Sequence, residues 1–201
     1  MFLVRALFSL GTFILLGATL AGLALPRVIQ VERSIEIAAP PDRIFPYINS
    51  QRMFVSWSPW SQRDTKAVYN VEGSESGPGS ILTWRSSRPE ILSGSQQIVE
   101  SRQNEAVRHA LNFEGLGEAQ SLYELHQRGE KTIVRGRFAA DLGPNPYMRL
   151  LGIMMEERVA ADLNRGLWFL RDEIEQHRKQ TDRAPNLAAA SLETSSQSAV
   201  Q

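Results

Sequence analysis

His109 is the residue best placed for chemistry in this sequence. It shares an alternating strand face with Val107, Leu111 and Phe113, so its imidazole can point into an apolar interior and serve as a general base or as a donor that orients a ligand. Arg85 and Tyr123 are the side chains that could join it as acid–base groups. The competing reading is a core or rim histidine satisfied by a neighbour, because no partner acid is evident and no nucleophile–base–orienter set can be assembled. Glu114 and Glu118 flank a glycine turn and are expected in solvent, while Asp141 precedes the loop into a long helix. The remaining histidines, His126 and His177, make no metal-binding spacing, and cysteine is absent. No metal, thiol nucleophile, disulfide frame or cofactor is therefore expected.

A second group of residues suits binding. Trp57, Trp60, Trp84, Phe113 and Tyr123 form an aromatic set. Aromatic rings bury large areas, and Trp or Tyr adds one directed hydrogen bond, which fits a pocket that holds a hydrophobic molecule by shape and orients it by a single polar contact. Core packing accounts for each ring separately just as well.

These residues need a scaffold, and composition bounds it. The chain has 201 residues, 42% hydrophobic and 22% charged, which suits one globular domain with extensions. Twenty-two basic residues balance twenty-two acidic ones, so the electrostatic footprint of a nucleic-acid binder is missing and none is expected as a partner.

The first extension is apolar. Residues 6–25 carry no charge and are flanked by Arg5 and Arg27; as a helix they rise about 30 Å, the thickness of a bilayer's hydrocarbon core. This reads as a single-pass membrane anchor over residues 1–27. A cleaved secretory signal is the alternative, with Gly22 and Ala24 before the cut, although the apolar stretch exceeds a signal core and Pro26 would lie just past the cut. Arg5 argues for an inside N-terminus and Arg27 and Arg33 for the reverse, so sidedness stays open.

Beyond Pro26, residues 28–37 alternate Ile29, Val31, Ile35 and Ile37 on one face, with Arg33 sharing it, as a half-buried strand does. Residues 38–42 end that strand and open a short helix, which Pro46 limits. Strands follow at about 66–71, 80–85, 90–101, 106–113, 119–127 and 132–140. Their short polar turns imply antiparallel hairpins. From Pro146 to about His177 the period becomes helical: Leu151, Met155, Val159, Leu163, Leu167, Leu170 and Ile174 make one stripe that must face a sheet. Gly166, beside Leu163 and Leu167, would let the helix backbone approach that sheet closely. The opening turns, 150–155, are apolar almost all round and are either deeply buried or could dock a membrane partner through Ile153 and Met154. Residues 179–201 lack aromatic residues and are expected to be a disordered tail. Segregated strands and helices make the class α+β.

The run Val-Glu-Arg-Ser-Ile-Glu-Ile-Ala-Ala-Pro at 31–40 with Ile44 and Phe45, Trp-Ser-Pro-Trp at 57–60, Gly-Pro-Gly-Ser at 77–80 with Trp84, Asn112 with Phe113, and Arg-Gly-Leu-Trp-Phe-Leu-Arg at 165–171 together resemble the START-like, or polyketide cyclase/dehydrase-like (SRPBCC), helix-grip superfamily. The resemblance covers residues 28–178 and is similar to a branch found behind an N-terminal membrane segment. It implies a curved antiparallel sheet wrapped around the long C-terminal helix, with an apolar cavity between them that takes a lipid or polyketide-like molecule. Trp57, Trp60, Trp84, His109, Phe113, Tyr123, Leu163 and Leu167 would line it. The sequence departs from the branch at Gly136, where relatives tend to carry tryptophan, so the cavity is expected to be larger there. Two functions follow from the resemblance: a membrane-tethered binding module for a hydrophobic small molecule, or a cyclase/dehydrase-like enzyme using His109 as acid–base.

Overall fold

Every strand expected from period-two alternation is present in the computed structural model, which describes the backbone of residues 2–88 and 91–198 and the side chains of 4–88 and 91–178. The elements run α1 (Phe2–Ala24), β1 (Val28–Ile37), α2 (Pro41–Ile48), α3 (Gln51–Trp57), α4 (Pro59–Arg63), β2 (Val68–Gly73), β3 (Ser80–Arg85), β4 (Gly94–Arg102), β5 (Ala106–Phe113), β6 (Gly117–Arg128), β7 (Lys131–Asp141) and α5 (Pro146–Ser198). The strands form one antiparallel sheet in the order β1-β7-β6-β5-β4-β3-β2. Strands β2 to β7 form a meander, and β1 closes onto β7 at the far edge. Three short helices therefore carry the chain from one edge of the sheet to the other. Prolines mark them: Pro41 and Pro59 sit in first turns, where no amide is needed, and Pro46 lies inside α2 two residues before its end.

Register places one residue from each strand in rows across the inner face. One row runs Ile98, His109, Ser121, Phe138 and Val31; the next runs Val107, Tyr123, Gly136 and Arg33. A bulge between Ile98 and Glu100 bends β4 beside the first row. Leu163, Leu167, Leu170 and Ile174 of α5 are buried on this face together with Ile44, Ile48, Phe54 and Trp57. Each such side chain contributes on the order of 1.5–3 kcal/mol by leaving water, which is why the helix lies on the sheet.

The stripe is not buried along its whole length. Leu151 remains exposed, because α5 begins at the edge of the sheet, where Gly152 packs on Leu142 and Ile29 and the preceding turn meets α1. At its other end α5 continues to Ser198 rather than stopping near His177 before a tail. The last three residues of the expected tail, 199–201, and half of the expected reversal at 88–89 lie outside the described residues. Strand β4 begins at Gly94 rather than near residue 90, since Ile91 is buried in the loop before it.

Candidate functional site: a cleft between the sheet, the tryptophan corner and the long helix

Ser58 is extended between α3 and α4, so the two helices meet at a sharp corner carrying Trp57 and Trp60. The corner is held from within. Trp57 donates its indole N–H to the Tyr47 carbonyl at 3.0 Å, and the Ser61 hydroxyl donates to the carbonyls of Val55 and Ser58. Gly166 serves this corner rather than the sheet: a Cβ there would meet Pro59 Cδ at 3.3 Å and Trp57 Cζ3 at 3.5 Å. An ion pair between Arg63 and Asp162 then fastens α4 to α5, and Arg88 donates to the Arg63 carbonyl.

Beneath this fastening lies a cleft. Its walls are Phe54, Trp57, Pro59, Trp60, Leu111, Phe138, Val159 and Leu163, and its polar groups are Gln96, Ser121 and Tyr123, with Asp162 at the rim. The free space is about 20 Å³, room for roughly one water, whereas pockets for drug-sized ligands span about 300–1,000 Å³. The rings fill the rest. Trp57 makes edge contacts with Phe54 and Tyr123 at centroid separations of 4.7 and 5.7 Å, which adds to the area they bury.

The polar floor is ordered. Gln51 and Gln96, both buried, are joined by an amide hydrogen bond of 2.9 Å, and Gln51 also donates to the Gln96 carbonyl. Tyr123 is buried, and burial raises its pKa above the ordinary tyrosine value. The cleft thus offers a neutral phenol as a donor in apolar surroundings.

His109 lies behind this floor and not in the cleft wall. Its Nδ1 meets Ser121 Oγ at 3.3 Å, its ring packs on Phe54 and Tyr123, and its Nε2 is buried without a hydrogen-bond partner. Burial pushes its pKa down to about 4, only partly offset by the nearby Ile48 carbonyl, so the imidazole is neutral at pH 7. Arg85 is exposed at the end of β3.

The other sequence candidates divide. Trp57, Trp60, Tyr123 and Leu163 meet at the cleft, and Leu167 is buried in the same core without lining it. Trp84 and Phe113 pair with each other 5.8 Å apart at one end of the sheet, where Trp84 donates to the Leu92 carbonyl. Gly136 faces inward, but the space opposite is taken: a Cβ would lie 2.9 Å from Leu163 Cδ1 and 3.3 Å from Tyr123 Cε1. Glycine here admits neighbouring side chains instead of enlarging the cavity. Gly136→Trp is expected to cost about 1–3 kcal/mol by overpacking, with part of the loss recovered in Gly136→Trp/Leu163→Ala. Thermal unfolding of the two variants measures this.

Sequence reasoning missed Phe54, Gln51, Gln96 and the Arg63–Asp162 pair. Gln96 had a signal, since it alternates with Ile98 on the inner face of β4. The ion pair had none, its partners being far apart in sequence.

Solved structures share this fold at low identity. Protein CV1439 from Chromobacterium violaceum is 15% identical with a TM-score of 0.53, over 75% of this chain and 99% of that one. Protein Ms6760 from Mycobacterium smegmatis is 13% identical with a TM-score of 0.54, over 76% and 99%. The di-domain ARO/CYC StfQ from the steffimycin biosynthetic pathway is 11% identical with a TM-score of 0.57, over 76% of this chain and 52% of that one. No curated protein matches the sequence. The family model described as polyketide cyclase / dehydrase and lipid transport matches residues 28–175, the whole span from the first strand to the end of the buried helix stripe, and the chain belongs to that family.

Proposed function

We infer that this protein is a membrane-tethered binding module for a hydrophobic small molecule, lipid or polyketide-like, held in the cleft between the sheet, the tryptophan corner and α5. The observation that carries the reading is the cleft itself: apolar on nearly every side, with the neutral Gln96, Ser121 and Tyr123 as its polar groups and one acidic group at the rim. Such a lining favours a neutral or weakly polar ligand with one oxygen function for the Tyr123 hydroxyl, since a charge would be desolvated without a counter-charge. Because the free space is small, occupancy requires α4 and Trp60 to move away from α5. The Arg63–Asp162 pair closes that seam, with Arg63 part-exposed and Asp162 largely buried, so opening must expose the carboxylate to water.

Helix α1 supports the tether. Its segment Val4–Ala24 is long and apolar enough to cross a membrane, with a mean hydropathy of 1.9. The enzyme reading draws less support, because it needs His109 at the ligand and the imidazole stands behind Ser121.

The test is titration of the full chain in detergent micelles with an anilinonaphthalene probe, following quenching of Trp57 and Trp60. Saturable binding is expected, with at least tenfold loss, about 1.4 kcal/mol, when Val159→Phe fills the cleft. Binding that does not saturate, or that Val159→Phe leaves unchanged, would overturn the assignment.

A further inference from the structure

Helix α1 is joined to the start of α5 by specific contacts. Thr19 Oγ1 and the Tyr147 hydroxyl are 2.9 Å apart, Arg149 Nη1 donates to the carbonyls of Leu23 and Leu25, and Gly22 abuts the Pro146 backbone so closely that a Cβ would not fit. Small residues at such a crossing allow close helix approach. Near the same corner Arg27 pairs with Asp141 through two hydrogen bonds of 2.7 Å.

This junction fixes a depth. Thr19 lies five residues before Ala24, the last residue of α1, and so about 7.5 Å along the helix axis from that end. Where α1 spans a bilayer, the Tyr147 ring is carried to the boundary between hydrocarbon and headgroups, the level that tyrosine favours. Leu151 and Met154 follow Tyr147 at helical spacing on one face and are 44% and 65% exposed, whereas Ile153 turns towards Val31 and Arg33 of β1. Charge returns immediately after, at Glu156, Glu157 and Arg158. An apolar face of this kind, continuous with a spanning helix and ending at a charged boundary, matches a bilayer interface.

We propose that the opening turns of α5, presenting Tyr147, Leu151 and Met154, lie in the phospholipid interface beside α1 as a second membrane contact of the domain. The proposal rests on the tether reading above and adds to it a contact with lipid made by the domain itself, beyond the span.

The natural chain has no cysteine, so single-cysteine variants can be labelled cleanly. Met154→Cys, Leu15→Cys in α1 and Arg128→Cys at the β6–β7 turn would each carry a nitrobenzoxadiazole label on the full chain. They would be reconstituted in phosphatidylcholine–phosphatidylglycerol vesicles with doxyl-labelled lipid as quencher. Quenching at Met154→Cys several-fold above that at Arg128→Cys, alongside strong quenching at Leu15→Cys, is the expected result. Strong quenching at Leu15→Cys with Met154→Cys no different from Arg128→Cys would leave the tether standing and overturn the second contact. A blue-shifted but unquenched label at Met154→Cys would mean that protein, such as a second copy, covers the face, and would also overturn it. Absence of quenching at Leu15→Cys would remove the tether itself and the proposal with it.

Discussion

Trp57→Ala should lower the unfolding free energy by about 3–5 kcal/mol, a large fraction of the roughly 5–15 kcal/mol typical of a domain. Trp57 is 2% exposed and touches every part of the cleft: Phe54 on its own helix, Tyr123 on the sheet and Gly166 on α5. Truncation removes the largest fully buried side chain and opens a cavity in the packed ring cluster. It also leaves the Tyr47 carbonyl without its indole donor, which adds a desolvation cost if no water enters. Urea denaturation of the full chain in mild detergent measures the loss. Trp57→Phe should fall between the two, keeping most of the apolar contact while losing the hydrogen bond. A cost below about 1 kcal/mol for Trp57→Ala, well under the usual range for such truncations, would show that the corner is not the keystone of the core.

Acidification should destabilise the domain through His109 before most carboxylates begin to titrate. Its imidazole is held neutral by burial, with a pKa pushed down to about 4 from an ordinary 6.5. Between those two values the unfolded chain binds a proton that the folded one does not, so stability rises with pH across the window and falls as pH drops from 6.5 towards 4. The full effect is about 3 kcal/mol once pH is below the folded value. The groups facing the imidazole are Phe54, Tyr123 and Ser121. None of them titrates in this range, since Tyr123 is displaced upward. His109→Gln, which cannot titrate, should therefore flatten the curve of unfolding free energy against pH over the window, while contributions from surface carboxylates remain in both proteins. Parallel curves for the two proteins would contradict the buried neutral imidazole.

Much of the frame could be read from local pattern. Strands β1, β3 and β5 begin and end where alternation placed them, because one face of each is buried and a half-buried strand must repeat every second residue. The long helix announced itself by the change of period at Pro146, and the class followed from strands segregated from helices. Boundaries failed where packing overrode pattern. Ile91 looked like strand and is buried loop, and Leu151 looked like core and lies exposed beside α1.

The candidate site was legible only in part. Periodicity turned His109 inward, the family resemblance put Gly136 at the cavity, and Trp57, Trp60 and Tyr123 were read as an aromatic set suited to a pocket. Whether an inward residue borders free space is another matter, because it depends on what stands across from it. Gly136 shows this best: its missing side chain suggested a void, and Leu163 from α5 and Tyr123 from the neighbouring strand occupy the space. His109 shows the same in reverse, an inward imidazole shut off from the cleft by Ser121 and the Phe54 ring.

By itself, then, the sequence determined the antiparallel meander, the apolar stripe of α5, the spanning length of α1 and the inward set of side chains, all of which are short-range consequences of side-chain period and turn chemistry. Tertiary structure alone decided that Arg63 meets Asp162, that Gln51 meets Gln96, that Thr19 meets Tyr147, and that the cleft is nearly closed. These pairs lie far apart in the chain, and local sequence carries no signal for which distant surfaces close upon each other or how tightly their side chains interlock.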